Sequence, residues 1–277
     1  MTRFLLSAFV SALLIPGLAK AQDNSEHEVR AVIDQLFDGM RAGDSTAVRA
    51  VFAPGAQLVS SGSRPDGTPF MQASPIDGFV SSVGSPHEQV WDEKIWDVQI
   101  DVRDNFASAL MDFAFYLDDQ FLHCGVNHFQ FVKGADSVWR AVSMSDTRRP
   151  GEECDLDQDK VESSAVETAL RNYLRGHATG DGAHHAKAFH PVSNLYWMRD
   201  GELNTRTSEA YIAGALGTPA ENESERLRFI DWVDVTGDAA VAKIVLDYPG
   251  AYIVDYMSLL KVDGRWQIVN KIFKVGD

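Results

Sequence analysis

Val29 to Val59 reads VRAVIDQLFDGMRAGDSTAVRAVFAPGAQLV, and Val166 to Trp197 reads VETALRNYLRGHATGDGAHHAKAFHPVSNLYW. Laid over each other without a gap, the two stretches place Gly43-Asp44 on Gly180-Asp181, Phe52 on Phe189 and Pro54 on Pro191, each at a separation of 137 residues. Landmarks that share one separation mark an internal repeat, and a repeat fixes the architecture before any element is assigned. The far ends of the two copies agree as well. Lys133 to Trp139 (KGADSVW) parallels Lys261 to Trp266 (KVDGRW), and each copy closes on an alternating stretch, Trp139 to Ser145 and Trp266 to Ile272.

Within a copy the helices come first. Val29, Val32, Ile33, Leu36, Phe37 and Met40 recur at helical spacing, and the run stops at Gly43-Asp44, where the Asp is placed to cap a second, short helix carrying Val48, Val51 and Phe52. From about Val90 the period becomes two, through Ile95, Val98, Ile100 and Val102, then Ala109 to Leu117, then His123 to Val132. The second copy repeats this with Leu227 to Val235, Ala239 to Tyr248 and Ala251 to Val262. Helices followed by a run of antiparallel strands predict an α+β fold, built here twice. The expected boundaries are a leader at 1–21, a first domain at 25–148, an acidic linker at 149–162 and a second domain at 163–277.

The leader rests on Arg3, an apolar run from Phe4 to Ile15 and the small-x-small triplet Ala19-Lys20-Ala21, which together read as a cleaved signal peptide. The run is shorter than the roughly 20 residues a bilayer needs and is broken by Pro16-Gly17, so no membrane contact is expected after cleavage. The expected location is periplasmic or secreted. Formal charge is −15, with no basic run anywhere, which argues against nucleic acid as a partner. Cys124 and Cys154 are the only cysteines, and in an oxidising compartment two thiols are expected to form a disulfide. Asp155, Asp157 and Asp159 carry the spacing of an EF-hand loop, but Lys160 and Val166 stand where such a loop needs Gly and Glu. His184, His185 and His190 lie near Asp181 without the fixed spacing of a zinc helix, so no metal is expected there.

Helix, Gly-Asp turn, short helix ending in Phe-x-Pro, then antiparallel strands ending in Gly-x-Trp-x-Ile: this order resembles the superfamily of nuclear transport factor 2, ketosteroid isomerase and the SnoaL-type polyketide cyclases. The resemblance covers both copies. In the second, Tyr196-Trp197, Arg199-Asp200-Gly201-Glu202-Leu203, Tyr211-Ile212 and the run from Asp255 to Lys261 are similar to the group called "putative lumazine-binding proteins". The resemblance implies two tandem cone-shaped NTF2-like domains, each with N-terminal helices packed on a curved antiparallel sheet and a mostly apolar cavity at the open end. Fold alone does not assign an activity to such a scaffold.

The same resemblance points to positions. Isomerases of this fold carry a carboxylate base about eight residues after the Phe that ends the second helix. Here those positions are Ser60 and Trp197, and neither takes a proton from carbon at neutral pH. The oxyanion-holding Asp of those enzymes aligns with Asn127 and Asp255, six residues before Lys133 and Lys261. Alternation puts Asn127 on the face of Phe129 and Phe131, and Asp255 on the face of Met257 and Leu259. A carboxyl among apolar neighbours has a raised pKa and donates a hydrogen bond to a ligand carbonyl. Tyr116 and His123 in the first copy, and Trp197, Tyr248, Tyr252 and, as a counter-charge, Lys271 in the second, complete the expected ligand-binding set; His128, His177 and Lys133 read as surface groups.

No nucleophile elbow, Walker loop, dinucleotide fingerprint or C-x-x-C occurs, and no cofactor is expected. Three readings follow. The first is a binding protein for a small apolar or aromatic molecule, without catalysis. The second is a cofactor-free acid/base enzyme of isomerase, cyclase or dehydratase type with Asp255 as its electrophilic partner. The third is an interaction module, in which the two copies pack sheet to sheet as an internal pseudo-dimer or chains pair as a homodimer.

Overall fold

The computed structural model describes residues 16–276 apart from Pro65, with side chains from residue 24 onward. Of the expected leader, 1–15 lie outside the described residues, and among the described ones no helix is long and apolar enough to cross a membrane.

In the first copy the apolar stripe Val29, Ile33, Leu36, Phe37 and Met40 lies wholly inside the fold on α1 (Pro16–Ala42). Burial at that spacing stabilises the helix by roughly 1.5–3 kcal/mol per large side chain, more than its intrinsic propensity supplies. Gly43 ends the helix with a left-handed φ of 65°, which costs glycine nothing. Asp44 then caps α2 (Ser45–Val51) by accepting from the backbone N–H of Thr46 and Ala47. The second copy uses the same device: Gly180 at φ 67° ends α4 (Gln158–Thr179), and Asp181 caps α5 (Gly182–Ala188).

Six strands follow in each copy. In the first they are β1 (Phe52–Ser63), β2 (Pro69–Pro75), β3 (Trp91–Arg103), β4 (Phe106–Leu117), β5 (Gln120–Lys133) and β6 (Trp139–Pro150), with α3 (Ile76–Gly84) between β2 and β3. In the second they are β7 (Phe189–Arg199), β8 (Glu202–Thr207), β9 (Leu227–Thr236), β10 (Ala239–Tyr248), β11 (Ala251–Val262) and β12 (Arg265–Gly276), with α6 (Ser208–Ala213) after β8. The sheet orders β2-β1-β6-β5-β4-β3 and β8-β7-β12-β11-β10-β9 are the same topology written twice, and no strand crosses between sheets. All pairings are antiparallel except β1 with β6 and β7 with β12. The chain is thus two tandem α+β domains, each with its own core, one around Phe37, Phe113 and Phe129 and the other around Leu170, Leu195 and Ile244. The sequence reading does not anticipate β1 and β7, which begin at Phe52 and Phe189 where the short helices end, nor the short elements β2, α3, β8 and α6.

Each copy also ties the start of its first helix to the end of its sheet. Glu28 accepts from Lys133 Nζ at 2.6 Å and from Trp139 Nε1 at 2.9 Å; Glu162 accepts from Lys261 Nζ at 2.6 Å and from Trp266 Nε1 at 2.7 Å. Lys133 therefore serves this clamp. Glu162 lies in α4, which begins at Gln158 under an Asp157 cap, so the stretch between the sheets is shorter than the 149–162 expected. A disulfide joins Cys124 to Cys154 and holds that stretch to β5.

The two copies meet along α1 and α4, not sheet to sheet. Contacts pair equivalent residues: Arg30 with Glu167, Asp34 with Arg171 at 3.4 Å, and Asp38 with Arg175 at 2.8 Å, each pair 137 residues apart. Equivalent residues touch in register only when two helices run side by side about an approximate twofold axis. The flanking contacts obey the same operation. His27 of α1 stacks on Phe229 of β9, and its equivalent on α4, Ser164, accepts from Ile95 N of β3 at 3.0 Å. The outer sheet faces stay free, with Trp232, Tyr256 and Ile272 each at least 42% exposed.

Candidate functional site

The second sheet carries an extra residue, Val269, in β12, where the register steps from Leu259–Ile268 to Ser258–Asn270. Trp266 and Ile268 face the core before this bulge, and simple alternation would then send Asn270 inward. The bulge shifts the parity, so Lys271 and Phe273 point in instead. Lys271 is 3% exposed, and its Nζ lies 2.9 Å from Asp255 Oδ1 on β11. The Tyr173 hydroxyl of α4 donates to Asp255 Oδ2 at 2.6 Å and also bonds Lys271 Nζ. Burial pushes the Lys271 ammonium below its usual pKa, and Asp255 pulls the other way. Burial, then the Asp255 charge, raises the Tyr173 phenol well above its normal value, so it stays a donor.

Above this triad opens a cavity of about 770 Å³, with Leu195, Trp197, Leu246, Ile253 and Phe273 in its apolar wall, Lys271, Tyr211 and His177 at its polar base, and Arg199, Asp200 and Arg206 also lining it. Trp197 stacks on Phe273, and its buried indole N–H has no acceptor among the described residues. Tyr211 of α6 bonds His177 Nε2 at 2.8 Å. Burial, followed by Lys271, holds the His177 imidazole well below its usual pKa, which keeps it neutral. Lys271 Nζ, paired with Asp255 and bonded to Tyr173, also stands over the rings of Phe273 at 4.8 Å and Tyr211 at 5.7 Å, which face the cavity.

Register maps this triad onto the first copy. Tyr173, Asp255 and Lys271 correspond to Leu36, Asn127 and Met144, so both charges are replaced together. There the polar floor comes from β3 instead. Glu93, 8% exposed, accepts from Asn127 Nδ2 at 2.6 Å, and burial lifts its carboxyl to about 7 against the pull of that bond. Glu93 lines a cavity of about 650 Å³ with Leu58, Phe79, Trp91, Phe115 and His123. His123 is pushed down to about 4 by burial and packs on Phe113 and Phe115. Ser60, at the position of the isomerase base, donates to the buried Asp146, which also holds Arg148 Nε at 2.6 Å.

The expected ligand set is therefore divided. Trp197, Lys271 and His123 line cavities. Asn127 and Asp255 lie behind the residues that do, and Asp255 accepts from Tyr173 and ion-pairs with Lys271, so it holds Lys271 in place. Tyr248 bonds Arg228 at 3.2 Å, Tyr116 lies under Lys94 Nζ, and Tyr252 is 44% exposed at the start of β11. His177 is a cavity residue, since it stands one turn beyond Tyr173 on the buried face of α4. Tyr173, Tyr211 and Glu93 were missed. Two of them carried a signal: Tyr173 extends the Val166, Ala169, Leu170 stripe, and Glu93 shares strand parity with Ile95.

Comparison with known proteins agrees with this division of the chain. Residues 161–274 match a family model described as "Putative lumazine-binding". An aldolase, FrzH of Cladobotryum sp, is 27% identical over 114 residues, which are 40% of this chain and 90% of that protein. Among solved structures, an NTF-2 like protein of unknown function from Silicibacter pomeroyi is 23% identical, with TM-score 0.39, over 44% of this chain and 100% of its own. An NTF2-like protein of unknown function from Shewanella baltica is 26% identical, with TM-score 0.38, over 42% of this chain and 94% of its own.

Proposed function

Taking the chain as a tandem of two NTF2-like domains, the second of lumazine-binding type, we propose that the second cone binds a small, largely aromatic molecule through an acceptor atom of that molecule. One observation carries this reading: the Lys271 ammonium and the indole N–H of Trp197 border the same cavity, and the buried indole N–H has no acceptor among the described residues. A buried donor without a partner costs roughly 1–3 kcal/mol, which a bound carbonyl oxygen or ring nitrogen returns. A cavity of about 770 Å³ is of the size that encloses a drug-sized ligand. The family description supports a planar, carbonyl-bearing heterocycle. Calorimetric titration with lumazine is the test. Binding to the wild type, weakened at least about tenfold in the double variant Asp255→Asn/Lys271→Met, is expected; a flat isotherm with the wild type overturns the reading.

The kinship to an aldolase, together with the Lys271 ammonium and the Tyr211–His177 pair, favours carbonyl chemistry as a second reading. Lys271 would hold a developing enolate oxygen, and the neutral His177 would pass a proton through the Tyr211 hydroxyl. Turnover of a β-hydroxy carbonyl compound that disappears in Tyr211→Phe while binding persists supports it; no turnover in the wild type leaves binding as the function.

The chain is read as exported. The pattern ending at Ala19-Lys20-Ala21 and the Cys124–Cys154 bridge support this. N-terminal sequencing of the exported protein should begin at Gln22, and an intact Met1 would contradict it.

A further inference from the structure

The first cone differs in kind from the second. Its polar floor is the Glu93 carboxylate, held from behind by Asn127, whose own Oδ1 is buried with no hydrogen-bond partner among the described residues; Arg148, Gln72, Ser74 and Ser82 stand in the wall. No ion pair to Glu93 occurs among the described residues. The charges that face it are accounted for elsewhere. Arg148 of β6 is neutralised by Asp146, Asp92 of β3 is held by Arg41 of α1 at 3.0 Å, and His123 of β5 is neutral. Aromatic rings stand around the floor, with Trp91 and Phe115 edge to face at 6.3 Å and Phe79 beside them in the wall. A carboxylate at the end of an aromatic-walled cavity attracts a cation twice, by charge and through the ring faces.

We propose that the first cone is a second, independent binding site, which takes a small organic amine in its ammonium form, with Glu93 accepting its N–H groups and Trp91, Phe79 and Phe115 holding its apolar body. This deepens neither reading of the second cone. It requires only the first cavity, so the two stand or fall separately.

The test uses benzylamine as probe, with benzyl alcohol and benzoate as isosteres of neutral and negative charge, in calorimetric titrations of the full chain. Benzylamine is expected to bind at one site and at least about tenfold more tightly than either isostere. Its affinity should rise about tenfold from pH 6 to pH 8, because the Glu93 carboxyl sits near 7 and must ionise to receive the cation. Glu93→Gln is close to isosteric and keeps an acceptor for Asn127 Nδ2, so it should fold while losing both the affinity and the pH slope. Asp255→Asn/Lys271→Met, which disables the other cone, should still bind benzylamine. The proposal is overturned if benzylamine does not bind at 10 mM (about the weakest affinity worth the name), if an isostere binds equally well, or if folded Glu93→Gln keeps the affinity and the slope.

Discussion

Asp255 and Lys271 face one another at 2.9 Å with 0% and 3% exposure, while the first copy fills the same two places with Asn127 and Met144. The repeat thus contains both solutions to one problem, a charge pair and its neutral replacement. Removing one partner of a buried pair leaves an uncompensated charge, whereas replacing both is often nearly neutral. Lys271→Met alone should therefore lower the unfolding free energy by about 3–5 kcal/mol, and Asp255→Asn/Lys271→Met should recover most of that loss. Chemical denaturation of the wild type, the two single variants and the double variant measures this. Additive losses in the double variant would mean the pair does not act as a unit. Sequence alone named Lys271 as a counter-charge, but not that the bulge at Val269 turns it inward; alternation counted from Trp266 points the other way.

Among the elements, α1 and α4 were legible because their apolar stripes repeat at helical spacing, and their pairing was not. The sequence gives no sign that Arg30, Asp34 and Asp38 meet Glu167, Arg171 and Arg175, because a charged helix face ordinarily reads as solvated. Sheet-to-sheet packing was the natural expectation from the fold, and the helix pairing displaces it. Arg171, 8% exposed, contacts Asp34, Asp38 and Glu167 at 3.4 Å each, so it is the member on which the seam depends. Arg171→Met removes the one cation shared by these three carboxylates, leaving Arg30 on Asp34 and Glu167 and Arg175 on Asp38, and should cost about 2–4 kcal/mol, with part of the loss restored at 1 M salt by screening, where the Debye length is about 3 Å. Denaturant melts at low and high salt check both parts. An unchanged midpoint at low salt would show that the contact holds nothing. The short elements β2 and α3 stayed hidden for a different reason: seven and nine residues carry too few turns or alternations to register a period.

At the scale of the whole molecule, duplication explains why two cores, two sheets of one topology and two cavities sit in one chain, and the repeat made that much legible from Val29 and Val166 onward. What the repeat concealed is divergence. Tyr173 and Lys271 of the second cone are Leu36 and Met144 in the first, and only the registers reveal it, because Tyr173, Asp255 and Lys271 are far apart in sequence. The central claim is that the second cavity is built around Lys271 to receive an acceptor-bearing aromatic molecule. Native mass spectrometry of the purified protein addresses it without a guess at the ligand. One aromatic, carbonyl- or ring-nitrogen-bearing molecule per chain should travel with the wild type and with Glu93→Gln, and be absent from Asp255→Asn/Lys271→Met. A wild-type protein that carries nothing, or a double variant that keeps the same adduct, would contradict the account.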